Sequence, residues 1–151
     1  MNFQQAVAVL AAESQVSDLA PDVDGLVQLE YDSTIMLTAF SPDGSEALYL
    51  AASLMELPQL VNARFYEQLL KMNFLLLDTR GATLSLDEEG RQVHLCLCVP
   101  FESLSNDALS RIISGFLETA LSLQSALAAA PTGGDEPLAA GDLSRFDLKR
   151  V

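Results

Sequence analysis

The chain predicts one α+β domain, a twisted antiparallel sheet packed with helices in the order helix, three strands, helix, three strands, helix. Three observations carry that expectation. Three segments repeat apolar residues at helical spacing, and the stretches between them switch to alternation. The alternating runs are joined by turns of Asp, Ser, Pro and Gly. Turns this short pair neighbouring strands antiparallel, because a parallel pair needs a crossover of about a dozen residues or more.

The first helix is expected over residues 2–14. Phe3, Val7, Leu10 and Ser14 share one side, flanked by Ala6 and Ala11. Its back is Ala8, Val9 and Ala12, and Glu13 is its one charge. A surface helix normally carries charge on its back, so this one should be covered on both sides, by its own core or by another chain. Residues 17–25 read as a loop. Its Asp22, Asp24 and Gly25 resemble the start of a calcium loop, but the later ligands and closing Glu are missing.

Three strands are expected at 26–31, 34–40 and 46–53. Asp32-Ser33 and Ser41-Pro42-Asp43-Gly44 form the turns between them. Pro58 suits the first turn of a helix over 58–72. Its apolar residues make two stripes, Leu57, Val61, Phe65, Leu69 and Met72, then Leu60, Ala63, Tyr66 and Leu70. A helix with two apolar sides packs on two sides. The second side needs another helix or a second subunit.

Residues 74–78, 82–87 and 92–99 are expected as strands, with turns at Thr79-Arg80-Gly81 and Glu88-Glu89-Gly90. Phe74–Leu77 and the last strand are apolar on both faces, so both faces there should be covered. A long helix comes next over 103–130, capped by Ser103 or Ser105, with Asp107 at its positive end. Leu109, Ile112, Ile113, Phe116, Leu117, Ala120 and Leu121 make its core stripe, and Pro131 ends it. The domain is therefore assigned to residues 1–130. Residues 131–151 read as a flexible linker, rich in Pro and Gly, and a short amphipathic tail with a basic end at Lys149 and Arg150.

Charge narrows the partners. The net charge is −13, from 21 acidic and 8 basic residues, with no Lys or Arg before Arg64. Such a surface repels phosphates, which disfavours nucleic acid and anionic membranes and favours basic segments. No secretory signal or membrane span is visible, and the two cysteines demand no oxidising compartment, so a cytoplasmic protein is expected. His94, Cys96 and Cys98 share one strand face. Same-face neighbours sit roughly 7 Å apart along a strand, which is awkward for one metal, and the chain has no other His. Asp87, Glu88 and Glu89 lie in a turn where acidic residues are ordinary. No nucleophile elbow, P-loop or dinucleotide fingerprint occurs. No enzyme, cofactor or metal is expected.

The stretch from Leu69 to Phe101 resembles the class I chaperones of bacterial type III secretion, the Tir-chaperone or CesT-like family. The matching residues are Leu69, Leu70 and Asn73 at a helix end and Gly81 and Ala82 in a turn. Leu84 and Leu86 in a strand, Gly90 in an acidic hairpin and Leu95–Val99 in the return strand complete them. The outline extends over about residues 2–127. Two features depart from the family pattern. There is no Trp late in the last helix, and the segment after Pro131 is longer.

The resemblance implies a homodimer built through the middle helix and the strand after it, near Leu60, Phe65, Tyr66, Leu69 and Phe74. It implies a chaperone that binds the N-terminal segment of a secreted effector, largely extended, and keeps it competent for export. Phe3, Val7, Leu10, Val27, Leu29, Ile35 and Leu37 are the candidate effector contacts, and each is equally an ordinary core residue type. A regulatory adaptor on the same fold, sequestering a secretion or transcription regulator, is the alternative.

Overall fold

The computed structural model describes residues 1–130; the expected linker and tail at 131–151 lie outside the described residues. Helix α1 spans Phe3–Ser14. Strands β1 (Val27–Tyr31), β2 (Ile35–Phe40) and β3 (Ala47–Glu56) form a meander after it. Helix α2 is Ala63–Met72, β4 is Thr83–Leu86, β5 is Gln92–Pro100, and helix α3 is Asn106–Ala128. The strands form one antiparallel sheet in the order β1-β2-β3-β5-β4, so β1 and β4 are its edges.

Local chemistry sets the ends of the helices. The Asn2 side chain accepts the Gln5 N–H at 3.0 Å, and the Gln5 side chain accepts the Asn2 N–H at 2.9 Å. This reciprocal pair satisfies two donors that a helix start leaves open. Ser105 caps α3 by accepting from Ala108 N–H, whereas Ser103 donates to the Pro100 carbonyl. In α2 the cap is Asn62, which accepts from Phe65 N–H at 2.9 Å. The helix therefore starts at Ala63 and not at Pro58, because a side-chain acceptor outranks a merely tolerant residue as a start signal. Pro58 and Leu60 lie in the loop before it.

The core sits between the sheet and helices α1 and α3. Ile35, Leu37, Leu48, Leu50 and Leu95 meet Leu10, Leu109, Ile113, Phe116 and Leu127 in one buried cluster, joined by Phe65 and Leu69 of α2. The other sheet face carries Met36, Thr38, Phe40, Tyr49, Ala51, His94, Cys96 and Cys98, all half-buried or exposed. Phe40 and Tyr49 stack there at 5.3 Å between ring centroids. Among the described residues, the expectation that both faces are covered is thus not met. Nor is α1 covered all round, since Ala8 and Ala12 are exposed.

One expected strand is absent. Phe74–Leu76 is a short 3-10 turn with Leu75 and Leu76 in the left-handed region at φ 56° and 54°. The sheet accordingly has five strands among the described residues and not six. The reason lies one residue earlier. Asn73 accepts the Leu84 N–H at 2.7 Å and donates its side-chain N–H to the Leu84 carbonyl at 3.0 Å. Its amide stands where a neighbouring strand would stand. Thr79 Oγ1 donates to the Ala82 carbonyl on the same edge. With those groups satisfied, the β4 edge offers Phe74–Leu77 no ladder to join.

Replacing Asn73 by Ala leaves the Leu84 N–H and carbonyl without their partners. The expected cost is about 1–3 kcal/mol in chemical denaturation. Hydrogen exchange at the Leu84 amide is expected to accelerate more than at Leu95, its cross-strand neighbour.

Candidate binding surfaces

A cleft of about 280 Å³ opens beside the β1 edge, between the end of α1 and the first half of α3. Its apolar lining is Leu10, Leu29, Leu37, Ile113 and Leu117, with Tyr31 at the side. Its rim carries Glu13, Glu30 and Glu118, all exposed. Glu13 accepts from the Ser110 hydroxyl at 2.7 Å, which ties α1 to α3 at the mouth. Glu118 stands 3.9 Å from Arg80, a contact between two largely exposed side chains that contributes little. The arrangement can take an apolar side chain flanked by positive charge.

The seven sequence candidates for docking divide here. Leu10, Leu29 and Leu37 line this cleft. Val7, Leu10, Val27, Ile35 and Leu37 are each 6% exposed or less and belong to the core. Phe3 and Leu29 are half-buried and pack against it. Leu29 is the candidate that both lines the cleft and reaches its surface. The pattern of the sequence missed Ile113 and Leu117, which look like core because they are core on their inner side. It also missed the carboxylate rim, for which the lone Glu13 of α1 was the available signal.

A second surface gathers around the end of α2. Leu70 (71%), Phe74 (58%), Leu75 (60%) and Leu77 (61%) are exposed there, and Leu60 (89%) in the loop before α2 and Leu86 of the β4 edge are exposed as well. Of the five candidates for a subunit contact, Leu60 and Phe74 are thus exposed, Tyr66 is half-buried, and Phe65 and Leu69 point into the core. This many large apolar side chains in one region is unusual for a free surface. The left-handed backbone at Leu75 and Leu76 adds a cost of roughly 1–2 kcal/mol per residue.

His94 and Cys96 are half-buried and Cys98 is exposed on the open sheet face. Burial holds the His94 imidazole below its ordinary range, against the pull of the Asp87 carboxylate. Burial pushes the Cys96 thiol up, partly offset by the Ser85 hydroxyl. Asp87 accepts backbone N–H bonds from Gln92 and Arg91, which hold its carboxyl low. Among the described residues, no three His, Cys, Asp or Glu side chains converge where a metal could sit. No helix of the described residues is long and apolar enough to cross a membrane.

The Tir chaperone protein (CesT) family matches residues 5–124 of the chain. No curated protein matches it. Among solved structures, the ExsC–ExsE complex superposes with a TM-score of 0.72 at 19% identity, covering 87% of this chain and 100% of that one. The HopA1–SchA chaperone–effector complex gives 0.66 at 24% identity, covering 82% and 93%. The ExoU–SpcU heterodimer of the Pseudomonas aeruginosa type III secretion system gives 0.59 at 19%, covering 80% and 93%. At these identities the likeness is one of fold.

The lowered His94 value has a signed consequence. Its folded-state value lies below its unfolded one, so its contribution is full above about pH 6.5 and is lost as pH falls through the folded value. An imidazole titration by NMR is expected to show a midpoint below that of a free histidine. His94→Gln is expected to flatten the acid side of the stability profile below about pH 6.5.

Proposed function

Because the chain belongs to the Tir chaperone protein (CesT) family, we propose that it is a type III secretion chaperone. In this reading it binds the N-terminal segment of an effector and keeps it soluble and competent for export. The observation that carries the reading is the acidic-rimmed apolar cleft beside the β1 edge. An edge strand accepts a further strand through its backbone, while a neighbouring pocket selects the side chain. An extended segment uses both, and a folded domain does not. The half-buried Leu29 is the contact proposed first, with Tyr31 beside it in the cleft, and the half-buried Phe3, at the other end of α1, is a second. The chain has its effect by binding, with no reaction attributed to it, in the cytoplasm where unexported effectors reside.

The same reading includes a homodimer joined through the end of α2 and the turn after it. Leu60, Tyr66 and Phe74 contribute from the surface, with Leu70 and Leu75–Leu77, while Phe65 and Leu69 hold the helix from inside. A partner subunit would bury side chains that this chain leaves in water, which supports the arrangement.

Co-expression with the neighbouring open reading frames is expected to yield a stable complex with a secreted protein. Leu29→Asp is expected to weaken that complex about 10- to 100-fold in Kd, the loss of one well-packed leucine contact. Retention of no secreted protein sinks the chaperone reading, and retention of a transcription or secretion regulator favours the adaptor.

Sedimentation of the native chain at micromolar concentration is expected to give twice the chain mass. Leu70→Glu combined with Leu77→Glu is expected to return it to a monomer with unchanged circular dichroism. A native monomer overturns the dimer.

A further inference from the structure

We infer that the cleft beside β1 is occupied by this chain's own C-terminal segment, residues 143–151. The cleft has the properties of a site for a basic and apolar peptide: a leucine and isoleucine floor inside three exposed carboxylates. The sequence of the chain contains one such peptide. Leu143, Phe146 and Leu148 are interleaved with Arg145, Lys149 and Arg150, and Asp147 is the single acid among them. Charge is segregated to match. Up to Ala130 the chain has 5 basic residues against 17 acidic, whereas residues 143–151 have 3 basic against 1 acidic. The first 63 residues, which supply α1 and β1, have 9 acidic side chains and none basic. The most basic segment of the chain is therefore opposite in sign to the part that supplies α1 and β1.

The span agrees with the attachment. Leu117 lines the cleft, and α3 ends at Ala128. Those eleven residues of helix put the cleft roughly 16 Å back along the axis. A flexible chain of twelve residues, the number from 131 to 142, would have an r.m.s. span of about 20 Å and a limit of about 40 Å. A linker whose r.m.s. span matches the distance gives the highest effective concentration. A peptide of modest affinity is then sufficient to occupy the site. The volume, equal to about nine waters, admits one large apolar side chain with its flanks outside, and Phe146 is the residue of that size. A cargo segment using the same cleft would have to displace the tail. That consequence rests on the cargo reading above; the occupancy does not.

The test uses the full chain, methyl-labelled for NMR, without any cargo. Arg145→Glu, Lys149→Glu and Arg150→Glu together leave the folded body's own residues intact. The methyl resonances of Leu29, Leu37, Ile113 and Leu117 are expected to move. Raising salt from about 20 to about 500 mM shortens the screening length from about 20 to about 4 Å. The native chain is expected to move in the same direction, and the variant to respond little. Adding Glu13→Lys, Glu30→Lys and Glu118→Lys to the reversed tail is expected to restore the salt response. Unmoved cleft methyls overturn the inference. So do shifts confined to Met55, Leu57 and Leu127 at the far end of α3, or a salt response that the reversed rim does not restore.

Discussion

The side-chain amide of Asn73 hydrogen bonds both backbone groups of Leu84, and much of the molecule's surface depends on that pair. An edge strand with open N–H and carbonyl groups pairs with whatever strand it meets. Here one side chain stands in for the neighbour, with Thr79 closing the next carbonyl. Phe74–Leu77, which has the composition of a buried strand, is turned out of the sheet instead. Four large apolar residues then stand in water at the end of α2. The opposite edge, β1, carries a cleft in place of such a clamp. The two edges are therefore unlike, and the two proposed partners, a second subunit and a peptide, fit different ends of one sheet.

The helices deepen this asymmetry. α1 and α3 cover one sheet face, where Leu48, Leu50 and Leu54 of β3 and Leu95 of β5 are almost wholly buried. The other face has a stacked Phe40 and Tyr49, small residues and two thiols. A protein with one covered face holds its stability in a single core and keeps a large area for association. Its charge is arranged along the same division. The charged residues among the first 63 are acidic without exception, so positive segments are drawn to the half of the molecule that holds the cleft.

Much of this architecture was legible residue by residue. The three helices, the β1–β2–β3 meander and the β4–β5 hairpin come from spacing and turn chemistry, and the structure has each within a few residues of its expected bounds. The start of α2 was misplaced because Pro58 permits a helix start while Asn62 makes one. The strand expected at 74–78 failed for a different reason. Local composition measures how well a segment would sit in a sheet, not whether an edge is free to receive it.

The binding surfaces were less legible, for a reason of the same kind. Leu10 and Leu37 are of the same residue type as Leu29 and Leu70, yet the first two are interior and the last two reach the surface. Apolar periodicity marks the side of an element that avoids water and is silent about what covers it. The sequence by itself determined the class of fold, the family resemblance and the sign of the charge, since these depend on local spacing and on composition. Only the tertiary structure decided that Asn73 takes the β4 edge, that Phe74–Leu77 faces outward, and that Glu13, Glu30 and Glu118 surround one apolar cleft. Each of those depends on contacts between residues far apart in the chain, whose meeting is set by packing and not by their neighbours in sequence.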